Sequence, residues 1–197
     1  MKRLVVLLGL LIISPLALAF GLDGLQKQLS EPAVVSGPFV QEKHLRALPQ
    51  PLISKGRFVL ARDHGLLWQL QTPLRQDYRI TATGIDRRDP SGWQTLPSRS
   101  AGAEQNRLFF AVLQGDSSGL QRDFELALSG TAQQWQLRLT PRSLLLKQIF
   151  TRIDINGGQF VERIELSETQ GDSTVLRMPE SHGAAVLSDA QRNDFAN

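Results

Sequence analysis

Apolar residues along this chain first run together, then recur at a helical period, then alternate. Leu4 to Ile13 is an uninterrupted apolar run, preceded by Lys2-Arg3 and followed by Ser14-Pro15 and Ala17-Leu18-Ala19. From Gly21 to Leu29, Leu22, Leu25 and Leu29 recur at helical spacing, with Asp23 as the expected N-cap and Pro32 just beyond. The period then changes to two. Strands are predicted over Ser36–Leu45, Ile53–Arg62, Leu66–Gln71 and Gln76–Thr83. Their apolar faces carry Phe39, then Phe58 and Leu60, then Trp68 and Leu70, then Tyr78 and Ile80. Turns are expected at Asp63-His64-Gly65, at Gly84 and at Asp89-Pro90-Ser91-Gly92, with a short strand opening at Trp93.

A helix over Ala103–Leu113 interrupts the alternation, with Leu108, Ala111 and Val112 on one stripe, extended by Phe109 and Leu113. Gly115 to Gly119 reads as a loop. Alternation resumes with Phe124, Leu126 and Leu128, a Ser129-Gly130 turn, and then Trp135, Leu137 and Leu139. A brief helix is expected over Ser143–Gln148, strands over Ile149–Ile155 and Gln159–Ser167 about an Asn156-Gly157-Gly158 hairpin, and a last strand over Thr174–Met178. The tail from Pro179 predicts no element. Roughly nine short, evenly spaced strands describe a mainly β, antiparallel barrel or sandwich. The interior helix must bury its stripe, and the sheet's concave face is the place available.

The N-terminal layout of a positive end, a short apolar run and an A-x-A site is that of a secretory signal peptide, with cleavage expected after Ala19. The run is too short for a spanning helix, which needs about 20 apolar residues. Export to the periplasm of a Gram-negative cell follows, leaving residues 20–197 (197 − 19 = 178) as a single domain. The formal charge of +3 includes Lys2 and Arg3, so the exported part carries 3 − 2 = +1. With no run of five like charges, nucleic acid is not an expected partner, and a monomer is expected.

The chain has no Cys, which excludes thiol catalysis and thiolate metal sites. His44, His64 and His182 stand in no metal-binding spacing, and there is no GxSxG elbow or phosphate-cradling glycine loop. The expectation is a protein that is not an enzyme and uses no cofactor. What stands out is the supply of large apolar residues on one face of many strands. A filled core and a lipid cavity under a helical lid both accommodate that pattern, and composition does not separate them.

Several short motifs occur in a specific order. Phe39-Val40-Gln41 forms an F-x-Q on the first strand. Gly56-Arg57-Phe58-Val59-Leu60-Ala61-Arg62 forms G-x-[apolar]-x-[apolar]-x-R on the second. Trp68 follows Arg62 by six residues, and Gln71-Thr72-Pro73 ends the third strand. Over residues 22–113 this order resembles the periplasmic outer-membrane lipoprotein carrier family, LolA. The chain departs from the family's pattern at Asp63-His64-Gly65 and in the polar stretch Gly84 to Arg88, as a divergent branch would.

The resemblance implies an incomplete, strongly curved antiparallel β-barrel with a helical lid over an apolar cavity for acyl chains. Phe39, Phe58, Leu60, Trp68, Leu70, Tyr78, Ile80, Leu108, Phe109, Val112, Phe124, Leu126, Leu128, Trp135 and Leu137 would then line the lipid site. Arg62 would latch the closed lid by hydrogen bonds to lid-helix backbone. The implied partners are an acylated lipoprotein or lipid cargo, an inner-membrane donor and an outer-membrane acceptor. The alternatives are a periplasmic assembly factor that binds protein on its concave face, a lipid carrier tied to lipid or pigment biosynthesis, and a lipid esterase.

Overall fold

The computed structural model describes residues 20–97, 108 and 110–196. Twelve strands form one antiparallel sheet: β1 (Val34–His44), β2 (Leu52–Ala61), β3 (Gly65–Thr72), β4 (Gln76–Ile80), β5 (Ile85–Asp89), β6 (Gly92–Thr95), β7 (Phe124–Thr131), β8 (Gln134–Pro141), β9 (Phe150–Gly157), β10 (Val161–Glu168), β11 (Ser173–Arg177) and β12 (His182–Ala184). The order across the sheet is β6-β5-β4-β3-β2-β1-β11-β10-β9-β8-β7, with β12 pairing β1 off this path. β6 and β7 are the two outer edges, so the sheet is curved but not closed. Among the described residues five helical segments accompany it: α1 (Leu22–Ser30), α2 (residues 108 and 110–114), α3 (Ser117–Asp123), α4 (Leu144–Ile149) and α5 (Asp189–Ala196).

Pairing register decides which residues share a face. Phe58 faces Trp68, and Trp68 faces Tyr78; Leu60 faces Leu66, and Leu66 faces Ile80. Leu126, Leu128 and Leu137 align in the same way with Leu139 and Ile155 in the other half. These residues join one continuous core with Leu25 and Leu29 of α1 and with Leu108, Val112 and Leu113 of α2. The sheet therefore wraps around both helices, and the concave placement expected for them holds for the residues described.

The seam between the two halves is β1 against β11. There Arg177 donates to the Glu42 carboxylate at 2.7 Å. That hydrogen bond, with smaller charge contributions from Arg177 and His44, holds Glu42 below the usual carboxylate range. A lowered folded-state pKa means this contribution is complete above the ordinary carboxylate value and is lost as pH falls through the lowered one.

Several expectations need correction. α1 is capped at Gly21 with no side-chain cap, and Asp23 lies inside its first turn instead. The polar stretch after Gly84 is a strand, β5, whose Ile85 alone reaches the core. The loop expected at Gly115–Gly119 contains the start of α3, whose N-cap Asp116 accepts from the Gly119 amide at 3.0 Å. The Ser129-Gly130 turn is strand, with Gly130 at a positive φ of 94° in β7, and the chain reverses after Thr131. Likewise Gly157 ends β9 and the reversal falls after it; the glycine leaves room for the Trp135 ring, which a Cβ would approach to 2.5 Å. Residues 103–107 and Phe109 of the expected interior helix lie outside those described.

The tail from Pro179 is structured. β12 pairs with β1 through Val34–Ala184, Val35–Gly183 and Ser36–His182. α5 lies on the convex face, where Leu187 and Phe195 pack on Val34, Val59, Ala61 and Leu67. Arg79 and Arg88 hold its last carbonyls, those of Phe195 and Asp194, at 2.6 Å each. Both guanidinium groups also stack on Trp93, at 4.9 and 4.6 Å.

Candidate functional site

The motif residues of the first three strands meet at one place. Phe39 of β1 stacks on Trp68 of β3, with ring centroids 3.8 Å apart and planes 20° apart. Gly56 of β2 lies beneath the stack. A Cβ there would come within 2.1 Å of the Gln69 carbonyl oxygen and 2.8 Å of the Phe39 ring. The F-x-Q, G-x-[apolar] and Trp signals are thus one packing unit, with a glycine on the middle strand that lets two aromatic rings lie over it. Gly56→Ala is expected to overpack this unit and destabilise the protein by about 1–3 kcal/mol. A urea midpoint lowered at unchanged slope is the check; an unchanged midpoint would show that the stack yields without cost.

The structure brings fourteen of the fifteen candidate lipid-site residues into a single apolar mass. Phe39, Phe58, Leu60, Trp68, Ile80, Leu108, Val112, Phe124, Trp135 and Leu137 are buried, while Leu70, Tyr78, Leu126 and Leu128 are half-buried. The fifteenth, Phe109, is outside the described residues. Among the described residues, two small voids lie between the helices and the sheet. One of ≈ 20 Å³ lies among Leu22, Leu25, Leu29, Val112, Leu126, Trp135 and Leu137. Another of ≈ 10 Å³ lies among Leu29, Val35, Phe58, Leu60 and Leu113. Ligand pockets run to about 300–1,000 Å³, and both voids fall far below that, so the described residues of α1 and α2 pack closely on the concave face. A larger opening of ≈ 280 Å³ lies beside α2, with Leu108, Ala111, Leu120, Phe124, Leu146 and Phe150 on its apolar side and Asp116, Arg122 and Asp123 at its polar edge.

Polar bonds hold α1 down, and sequence reasoning missed the strongest of them. The Gln28 side-chain amide donates to the Gly158 carbonyl at 2.5 Å and to the Ala132 carbonyl at 3.2 Å. These acceptors belong to the β9–β10 and β7–β8 turns. Gly158 also accepts from the Trp135 indole N–H at 2.7 Å. Nothing in the local sequence marks Gln28, because both acceptors are more than a hundred residues away. Arg62, just past β2, donates from its guanidinium to the Pro32 carbonyl at 3.4 Å, in the link between α1 and β1. Its backbone N–H bonds to Ala33 at 3.0 Å.

The histidines have ordinary surroundings. His64 packs on Phe195 with ring centroids 5.5 Å apart, His182 hydrogen-bonds Ser36 at 3.1 Å, and His44 lies 3.6 Å from Glu42. No helix among the described residues is long and apolar enough to cross a membrane.

An open, curved antiparallel sheet holding short helices in an apolar concave face defines the class of the LolA-like fold. The family described as "Outer membrane lipoprotein carrier protein LolA-like" matches residues 15–194, and the chain belongs to it. No curated protein matches the chain in sequence. Among solved structures, a LolA-superfamily protein from Nitrosomonas europaea is 10% identical with a TM-score of 0.50, covering 86% of this chain and 94% of that one. A chain of the Pseudomonas aeruginosa MucA/MucB complex is 16% identical with a TM-score of 0.51, covering 86% of this chain. The match spans 58% of that chain. At these identities the likeness is one of fold.

Proposed function

We propose that this protein is a periplasmic carrier that takes up acyl chains in its concave face and moves a lipid or lipoprotein between membranes. The observation that carries the reading is the construction of the core. One half of it is a continuous sheet face; the other is short helices that the chain order leaves free to lift. α1 leads into β1 through residues 31–33, and α2 sits in the connection between β6 and β7. Membership of the carrier family supports the same conclusion. Export with cleavage after Ala19 belongs to the proposal.

The energetics suit a carrier. Each buried methylene is worth about 0.8 kcal/mol, so a cargo with two acyl chains is too costly to move bare through water. Lifting α1 and α2 exposes a face of matching chemistry, and the cargo replaces the contacts the helices give up. Such exchange needs a closed state only a few kcal/mol from the open one. Native mass spectrometry of protein purified from membrane-containing lysate tests the reading. A bound lipid or acylated peptide is expected. A lipid-free mass with a non-acylated polypeptide bound would replace the carrier with a protein-binding factor.

The polar bonds on α1 set the gap. Gln28→Ala removes two donors aimed at turn carbonyls, and bonds of this kind are worth about 0.5–1.5 kcal/mol each. We expect faster amide exchange in α1 by roughly tenfold and more lipid retained on purification. Arg62→Leu, which removes a longer and exposed bond, should move both in the same direction by less. If neither substitution changes exchange in α1, the helix is fixed by packing alone and the latch assignment fails.

A further inference from the structure

Seven large apolar side chains are strongly exposed among the described residues, and six of them gather at one end of the barrel. Register shows this. Lys43 pairs with Leu52, Lys55 with Thr72, His44 with Ser173, Glu168 with Phe150, and Phe124 with Pro141. The β1–β2 hairpin, the β3–β4 turn and α4 therefore share one rim. The hairpin shows Leu48, Leu52 and Ile53 at 45, 52 and 50% exposure. The turn shows Leu74 at 77%, and α4 shows Leu144 and Leu145 at 81 and 65%. The β10–β11 turn ties two of these loops together. Thr169 donates to the Gln148 carbonyl at the end of α4 at 2.6 Å, and Asp172 accepts from the Arg46 amide at 2.8 Å.

Charge on the same loops is one-sided. Residues 45–51, 73–75 and 142–149 contain Arg46, Arg75, Arg142 and Lys147 and no Asp or Glu. All four cations are exposed, and none forms an ion pair among the described residues. Acids at this end stand on neighbouring elements: Asp89, Asp123 and Glu168 end β5, α3 and β10, Asp172 lies in the β10–β11 turn, Asp116 lines the ≈ 280 Å³ opening, and Asp123 is paired with Arg122.

We infer that this rim is a docking surface for an anionic lipid bilayer, its leucines entering the headgroup region while the four cations face lipid phosphates. Apolar insertion combined with basic residues is the physical recipe for reversible attachment, since neither suffices alone. Leu146 of α4 turns inward and lines the ≈ 280 Å³ opening beside Leu108 and Ala111 of α2. Docking by this rim places that opening at the bilayer surface, so an acyl chain passes between membrane and protein without crossing water. The purpose of the surface rests on the carrier reading; its existence does not.

Flotation of the purified protein with vesicles is the test, using phosphatidylcholine alone and phosphatidylcholine with about a third phosphatidylglycerol. Association with the anionic vesicles is expected, weakened by salt. It should fall about tenfold in Leu144→Ser/Leu145→Ser and in Leu52→Ser/Ile53→Ser, and also in Arg142→Glu/Lys147→Glu. The two apolar pairs lie on separate elements, α4 and the start of β2, so if one variant fails to fold the other decides. No flotation with either vesicle, or flotation indifferent to both leucine pairs, overturns the inference. A protein bound through these leucines with no vesicle association overturns it too. Lipid retained after purification is read on the same variants. Normal retention with lost flotation isolates the rim, whereas a parent protein that floats with anionic vesicles but retains no lipid would strike the carrier reading and leave the rim standing.

Discussion

A Leu60→Glu protein is expected to stay folded and to lose at least about tenfold in retained lipid. Leu60 is buried on the concave face between Val35 and Leu66, and lines the void beneath α1 and α2 with Leu29 and Leu113. Among the described residues that line this void none is a cation, and an unpaired buried charge costs several kcal/mol. Two responses relieve that cost. Unfolding gives up the whole sheet. Lifting the helices gives up only the contacts of Leu25, Leu29, Leu108, Val112 and Leu113 and lets water reach the charge. If the helices are a lid, the second is cheaper: β-sheet circular dichroism persists while an acyl chain no longer finds an apolar wall. A tenfold loss corresponds to 1.4 kcal/mol, well inside the cost of placing hydrocarbon against a carboxylate. Cooperative unfolding of the variant would identify the concave face as an ordinary core and remove the carrier proposal with it.

Trp135→Ala should give the largest loss of stability of any single truncation in the C-terminal half. The ring is buried, it occupies the space left by Gly157, and its indole N–H satisfies the Gly158 carbonyl. Removing it opens a cavity against the void under α1, and truncations of this kind cost about 3–5 kcal/mol. For a chain of this size the melting temperature falls by roughly 6–20 °C. The substitution also loosens the turn to which Gln28 is bound, so α1 exchange should quicken by more than the loss of global stability explains. A melting temperature within about 2 °C of the parent would mean that the hairpin turns collapse onto the space and that the ring is not the pillar of this half.

How much was legible follows from what each element depends on. Strands whose apolar residues alternate against the core, such as β2, β3 and β8, were readable within a residue or two because period-two patterning is a local signal. β5 was not, because Asp86, Arg87 and Arg88 look like a loop until Asp77, Asp194 and Trp93 are found beside them. α5 was invisible for a similar reason. It has one buried anchor, Phe195, and is held mainly by arginines from β4 and β5. At the site, the apolar lining could be named residue by residue, and the motif resemblance had a packing basis in the Phe39–Gly56–Trp68 stack. The bonds that pin α1 could not be foreseen, since a glutamine amide carries no pattern and its acceptors are carbonyls of distant turns.

The place of β1 in the sheet has a consequence for the order of assembly. Its partner on one side, β2, is the next strand along the chain, but its partner on the other, β11, begins only at Ser173. A chain that emerges N-terminus first can zip β1 through β6 into a half-sheet at once. It must then leave one long edge of its central strand, Val40 to His44, without a β11 partner until nearly the last residues arrive. Joining across so great a sequence separation is slow by its loop-closure entropy. Completion of the barrel is thereby reserved for a chain that has been delivered whole, and a half-emerged chain presents an unpaired strand edge that other sheets can extend.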